Sequence, residues 1–173
     1  MTGYMSEMRK LVGHRTIIQC AASIICVDEY GRILLGKRSD NHKWGYSGGS
    51  VEIDEYVEEC AKRELYEEMG LRADTLDFFC INSGPDAHYV YPNGDEVSNV
   101  EIVYICRKWH GEPKALDKEM EELRFFSCDE IDPVEISPPI RNVVEKYVHS
   151  MAQKQDSGKE PVFRDNVPLY LDC

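Results

Sequence analysis

Glu64, Glu67 and Glu68 are close in sequence, within a segment whose pattern predicts a helix over residues 55–69. At about 100° per residue they fall within roughly one 100° sector of that helix, next to apolar positions that should point inward. Like charges at this spacing repel one another, and the macrodipole at a helix C-terminus disfavours anions. A divalent cation is the natural compensating partner, because hard cations bind the oxygens of clustered carboxylates.

A glutamate-rich helix in an acidic protein is by itself more often a solvated face than a metal site, so the surrounding residues matter. Gly48 and Gly49 precede the helix, and paired glycines let a backbone carbonyl approach a ligand closely. Arg63 can pair with Glu52 or Glu55 and so tie this loop to the helix. Together these residues favour the metal-binding interpretation over the solvated face.

The segment from 49 to 71 resembles the Nudix box, G-x5-E-x7-R-E-U-x-E-E-x-G-U, where U is a bulky aliphatic residue. Every fixed position is matched, by Gly49, Glu55, Arg63, Glu64, Leu65, Glu67, Glu68, Gly70 and Leu71. Each of these residue types has a background frequency of only a few per cent, so a chance match to all of them is very improbable. Ser47 and Asp54 replace the Pro and Gly that the family often has, which concerns the loop's shape rather than the metal ligands.

The resemblance implies a hydrolase that depends on Mg²⁺, with Mn²⁺ as a substitute, and cleaves a diphosphate bond. The implied substrate is a nucleoside diphosphate linked to another moiety, such as a nucleotide sugar, an ADP-ribose-like compound or a nucleoside triphosphate. It also implies that Glu67 and Glu68 are the principal metal ligands, with Glu64 adjoining them and the Gly49 carbonyl completing the shell. The same glutamates are the catalytic candidates.

The resemblance leaves the identity of the general base open. Glu64 and Glu68 are candidates within the box, and some family members use a glutamate from a later loop. In this chain that loop offers Glu119, Glu121 and Glu122.

Candidate substrate contacts lie outside the box, at Arg38, Trp44 and Tyr89. An arginine can meet phosphates and an aromatic ring can stack on a base. The aromatic side chains have an alternative, since Tyr89 is spaced as on a strand and Trp44 can pack under its loop.

The remaining pattern predicts the elements that position these residues. Strands are expected over 17–27, 33–38, 76–82, 87–91, 97–107 and 123–127, with a loop over 39–50 and a late helix opened by Ser137. Asp54 is the expected N-cap of the early helix, and Gly70 suits the left-handed position after its end. This order predicts an α+β fold, an α/β/α sandwich with a mixed β-sheet. The early helix is expected on one face and the late helix on the other, within a domain over 1–153 followed by a tail over 154–173.

Composition limits the classes of partner. The formal net charge of −12 argues against a large nucleic-acid partner, while a small nucleotide can bind where a cation or a local basic group is present. The seven cysteines form no C-x-x-C pair and are expected to be free thiols in a reducing compartment. The chain lacks a run of about 18 apolar residues, which predicts a soluble, cytoplasmic protein with no membrane partner.

Some alternatives stay open. Within enzymes they are a nucleoside triphosphate pyrophosphatase and an RNA-end hydrolase. From another class, a non-catalytic Nudix-like module can sense a nucleotide without cleaving it, although such proteins usually have a damaged box. The N-terminal segment and the tail are candidate surfaces for a homodimer.

Overall fold

Two helices enclose a mixed β-sheet. The computed structural model describes residues 3–116, 118–131 and 135–157. The helices are α1 (Tyr4–Val12), α2 (Val57–Met69), α3 (Cys128–Ile131) and α4 (Arg141–Ser157). The strands are β1 (Ile17–Cys26), β2 (Ile33–Arg38), β3 (Trp44–Gly45), β4 (Ser47–Ser50), β5 (Arg72–Ala73), β6 (Asp77–Asn82), β7 (His88–Val90), β8 (Glu96–Cys106), β9 (Trp109–His110) and β10 (Met120–Phe126). Short 3-10 turns cover Pro85–Ala87 and Pro138–Ile140.

The central sheet has the strand order β4-β1-β8-β6, and β7 also pairs with β8. β1 and β8 run parallel, from Ile17 opposite Val97 to Cys26 opposite Cys106. The other pairs in this sheet are antiparallel, so the sheet is mixed. A second sheet has the order β10-β2-β3, and β5 pairs with β9.

Alternation along the central strands creates a core on each face of the sheet. On one face, Ala22 and Ile24 pack in the same cluster as Leu65 of α2. On the other, Ile25 packs with Val144 and Tyr147 of α4. Each large side chain buried in this way stabilises the fold by roughly 1.5–3 kcal/mol. The α/β/α sandwich predicted from the sequence is therefore confirmed.

The predicted loop over 39–50 is partly wrong, because it contains β3 and β4. Its glycines do not prevent strand formation and are needed for it. A Cβ on Gly48 would lie only 2.9 Å from the backbone Cα of Ser23, so only glycine allows β4 to approach β1 this closely. The box therefore begins on a strand of the central sheet.

The start of α2 also differs from the prediction. Helix α2 begins at Val57, and Tyr56, not Asp54, occupies the N-cap position, with no side-chain cap. Asp54 has a φ of 64°, in the left-handed region that glycine adopts more easily. The loop is closed instead by Glu55, whose carboxylate accepts the Glu52 N–H at 3.0 Å. The predicted end is correct, since Gly70 has a φ of 72° and its N–H bonds to the Tyr66 carbonyl.

The N-terminal segment contains a helix that the sequence pattern did not predict. Its apolar residues recur at helical spacing, at Tyr4, Met5, Met8, Leu11 and Val12, although none of them is buried in the fold. Polar contacts hold it: the Tyr4 N–H donates to Glu52 at 2.8 Å, and Arg9 donates to the Glu96 carbonyl at 2.6 Å.

The C-terminal region differs from the sequence pattern in two details. Ser137 precedes a 3-10 turn and forms no side-chain cap. Helix α4 ends at Ser157, and the rest of the predicted tail, 158–173, lies outside the described residues.

Candidate active site

Glu68 is a buried carboxylate near the C-terminal end of α2. Its residue is only 3% exposed, and one carboxylate oxygen accepts the Gly48 N–H of β4 at 3.1 Å. Burial raises the pKa of Glu68 to about 8, and the nearby Glu64 carboxylate acts in the same direction. A buried anion of this kind calls for a positive partner when it is charged.

Glu64 lies one turn earlier on the same helix and faces β4. A Cβ on Gly49 would come within 2.3 Å of a Glu64 carboxylate oxygen, so the strand leaves space for this group only because position 49 is glycine. Burial raises the pKa of Glu64, although the hydrogen bond from Arg63 opposes this effect. Gly49, the first fixed position of the box, thus leaves the space that the Glu64 carboxylate occupies.

Arg63 supplies the positive charge among these carboxylates. Its guanidinium holds Glu55 in a two-pronged ion pair, with N–O distances of 2.8 and 3.0 Å. One terminal nitrogen also donates to Glu64 at 2.6 Å and to the more exposed Glu67 at 3.2 Å. Of the two partners predicted for Arg63, the structure selects Glu55, while Glu52 binds the N-terminal helix.

Metal binding by this group can be tested against the geometry. Among residues 3–116, 118–131 and 135–157, no set of at least three His, Cys, Asp or Glu side chains is arranged to hold a metal ion. The donor set nevertheless suits Mg²⁺, because carboxylate and carbonyl oxygens are the ligands that hard cations prefer. Glu64, Glu67, Glu68 and the Gly49 carbonyl are the residues that would hold it. Their role as ligands stays a prediction.

The later glutamates are not equivalent. Glu119 immediately precedes β10, and its charge raises the pKa of both Glu64 and Glu68. Glu121 instead pairs with His42 at 3.0 Å, and Glu122 is exposed, as Glu119 is. Of the candidates outside the box, Glu119 is therefore the one that the fold brings to the carboxylates.

A cleft lies next to the box on the opposite face of the sheet from α2. Gly48 and Gly49 line it, so β4 separates the cleft from Glu64 and Glu68 by the thickness of one strand. Arg38, Tyr89 and Tyr91 also line it, together with Pro139 and Ile140 from the turn before α4.

Two of the predicted substrate contacts, Arg38 and Tyr89, therefore lie at the cleft. Asp40 holds the Arg38 guanidinium through two hydrogen bonds of 2.9 Å, and Asn41 donates to the Tyr89 hydroxyl at 3.1 Å. The Trp44 ring is placed differently: it packs edge-on against Phe126, with ring centroids 4.7 Å apart, and borders the core on the α4 side.

The floor of the cleft contains polar residues that the sequence reasoning missed. Glu101 of β8 is 6% exposed and accepts hydrogen bonds from Ser23, Asn82 and Tyr46. A signal was present in the sequence, since Glu101 is a charged residue between Val100 and Ile102 in the strand predicted over 97–107. Buried charge at such a position marks a candidate functional group.

The family model of the NUDIX domain matches residues 18–147. The chain belongs to the Nudix family. This match covers the box, both faces of the central sheet and most of the cleft, and it agrees with the sandwich fold. Members of the family generally use a divalent metal, and the assignment makes the domain of this chain a pyrophosphohydrolase of the Nudix type.

Relatives and solved structures agree with this assignment. The chain is 32% identical over 114 residues to an oxidized purine nucleoside triphosphate hydrolase of Danio rerio, covering 63% of this chain and 67% of that protein. It is 29% identical over 146 residues to the NAD-capped RNA hydrolase NudC of Actinobacillus succinogenes, covering 80% of this chain. The chain spans about half of that NudC, 51% of its length.

A crystal structure of a MutT NUDIX hydrolase from Burkholderia pseudomallei superimposes with a TM-score of 0.59 at 27% identity. The match covers 77% of this chain and 97% of the other. Within the described residues, no helix is both long and apolar enough to cross a membrane.

Proposed function

We propose that this Nudix domain is a magnesium-dependent hydrolase that cleaves the diphosphate bond of a nucleoside diphosphate linked to another moiety. Mn²⁺ is expected to substitute for Mg²⁺. The observation that carries the proposal is the position of Glu64 and Glu68, which contact the same two glycines of β4 that line the cleft. A diphosphate lying over this strand would have its anionic oxygens next to the metal ligands.

The proposed roles follow from burial and position. Glu64, Glu67 and Glu68, with the Gly49 carbonyl, hold the metal, which neutralises phosphate oxygens and lowers the pKa of bound water when present. Glu64, Glu68 and Glu119 are the candidates for the general base, because the charges of Glu64 and Glu119 both raise the pKa of Glu68. Arg63 orients Glu64 and Glu67 by direct hydrogen bonds.

The substrate end of the site is proposed from the cleft. Arg38 is the candidate contact for phosphates, and Tyr89 for a base, since both line the cleft. Trp44 is a third candidate for a substrate contact. Its alternative role is structural, because its ring packs against Phe126.

A small nucleotide is the substrate class best supported. The name of the zebrafish relative favours a nucleoside triphosphate, and the NudC name favours a dinucleotide-like diphosphate. A nucleoside triphosphate and a dinucleotide-like diphosphate are both nucleotides with a diphosphate bond. The net charge of −12 opposes binding of a long RNA, so we expect the small molecules to be better substrates than RNA ends.

The decisive experiment compares the wild type with the double variant Glu67→Gln, Glu68→Gln on nucleoside triphosphates, nucleotide sugars, ADP-ribose and dinucleoside polyphosphates. Phosphate release is followed with and without Mg²⁺. The wild type should be active only with the metal, and the double variant should lose at least about 100-fold in kcat. Metal-dependent binding without any hydrolysis would instead identify a nucleotide-sensing module.

A further inference from the structure

Glu101 is a buried carboxylate for which the proposed hydrolysis has no use. It lies at the floor of the cleft, on the face of the sheet opposite the box helix. The Ser23 hydroxyl donates to one oxygen at 2.6 Å, while Asn82 and the Tyr46 hydroxyl donate to the other at 2.8 and 3.2 Å. The fold therefore fixes the position and orientation of this carboxylate at the end of the cleft.

All three donors to Glu101 are neutral. In the part of the chain that the structure describes, no Lys, Arg or His forms an ion pair with it. A carboxylate offers about four acceptor positions, so three donors leave acceptor capacity for a further N–H group. The Asn82 amide also donates to the Pro139 carbonyl at 2.9 Å, which fixes its orientation, so the Glu101 oxygen that faces Asn82 acts as an acceptor.

The walls of the cleft suit a flat ring. Tyr89 and Tyr91 contact each other edge-on, with centroids 5.0 Å apart, and Pro139 and Ile140 add apolar surface. Aromatic and apolar walls around a few fixed polar groups are typical of sites for planar ligands. Arg38 lines the same cleft, and the charge of Glu68 contributes to raising the pKa of its guanidinium.

We infer that Glu101 is a specificity-determining residue of the cleft proposed to hold the base, and that it accepts a hydrogen bond from an exocyclic amino group of that base. This inference rests on the proposed function, because it places the diphosphate over Gly48 and Gly49. A base with an amino group satisfies the carboxylate. A base with a carbonyl oxygen at that position meets a second acceptor and is rejected.

A purely structural role for Glu101 is the competing explanation. Asn82 connects Glu101 to the Pro139 carbonyl at 2.9 Å and to Asn142 at 3.0 Å, which fastens the start of α4 to the sheet. In that case replacing Glu101 would reduce the activity on every nucleotide equally. The ratio between two substrates separates the explanations, because it does not depend on the fraction of protein that is folded.

The test uses pairs of nucleotides whose bases differ by an exocyclic amino group: GTP against ITP, ATP against ITP, and CTP against UTP. The values of kcat/KM are measured with Mg²⁺, and equilibrium binding of the same nucleotides is measured in EDTA. For at least one pair the wild type should prefer the amino-bearing nucleotide by about 10- to 100-fold, as expected for one hydrogen bond to a buried charged group. Glu101→Gln should reduce that preference at least tenfold.

Glu29→Gln is the matched control, since it is the same change at an exposed position in the turn between β1 and β2, and it should leave the ratio unchanged. Equal handling of every pair by the wild type, or failure to bind any of them, overturns the inference. An unchanged ratio in Glu101→Gln also overturns it. A preference in binding without any hydrolysis keeps the inference and rejects the proposed function. Hydrolysis without a preference keeps the proposed function and overturns the inference about Glu101.

Discussion

At the scale of single residues, the site depends on buried carboxylates, whose ionisation costs free energy because they are removed from water. Glu68 and Glu101 are both buried, on opposite faces of the same sheet, and burial raises the pKa of each. They differ in their surroundings. Glu68 has other carboxylates next to it, which suits a cation, whereas Glu101 has only neutral donors, which suits an N–H group of a ligand.

Replacing Glu68 by glutamine should therefore separate stability from activity. At pH 8 the variant should unfold at a higher urea concentration than the metal-free wild type, because the neutral amide removes a buried charge. Its kcat should fall by about 100-fold or more, because a metal ligand is lost. Glu59→Gln, at an exposed position on the same helix, should change neither quantity. A variant that is both less stable and fully active would contradict the assignment of Glu68.

At the scale of elements, β4 is the piece that connects the helix carboxylates with the cleft. It is a strand of only four residues, yet Gly48 and Gly49 contact the neighbouring strand, the box helix and the cleft. The sequence predicted that paired glycines permit a close approach. The pairing of this segment with β1 places Gly48 opposite Ser23, a distant residue that no local pattern identifies.

Alanine substitutions at the two glycines should have different effects. Gly48→Ala would push against the Ser23 backbone and should destabilise the protein by about 1–3 kcal/mol, measured by urea unfolding. Gly49→Ala would meet only the end of the Glu64 side chain, which can move. It should cost less stability and lower kcat by displacing that carboxylate. Equal losses of stability, with activity retained in Gly49→Ala, would show that β4 only supports the fold.

At the scale of the whole molecule, acidic charge dominates. The net charge is −12, and burial raises the pKa values of Glu64, Glu68 and Glu101. A carboxyl with a raised pKa in the folded state binds more protons there than in the unfolded chain. Stability therefore falls as the pH rises from the unfolded value towards the folded one.

For Glu68 this window runs from the ordinary 4.5 to about 8. The metal-free protein should lose stability across it, by at most about 1.4 kcal/mol per pH unit for this one group. Mg²⁺ supplies the missing positive charge, so the rise in Tm that it causes should grow as the pH increases from 5 to 8. Differential scanning calorimetry at fixed ionic strength, with Na⁺ replacing Mg²⁺ in the control, measures this. A metal effect that is independent of pH would contradict the role of Glu68.

The sequence by itself determined the family, the box helix with its end at Gly70, and the order of most strands. It could do so because these features are local: carboxylate spacing along one helix, alternation along a strand and a left-handed glycine each leave their mark within a few residues. Local spacing also limited the predicted partners of Arg63 to Glu52 and Glu55, and the structure shows Glu55.

Only the tertiary structure decided which distant residues meet. It brought Glu119 to the box, placed Trp44 against Phe126, and assembled Ser23, Tyr46, Asn82 and Glu101 at the floor of the cleft. These contacts join residues 19 to 82 positions apart in the chain. They follow from the parallel register of β1 with β8 and from the packing of α4, which are set by the balance of burial over the whole chain rather than by any local pattern.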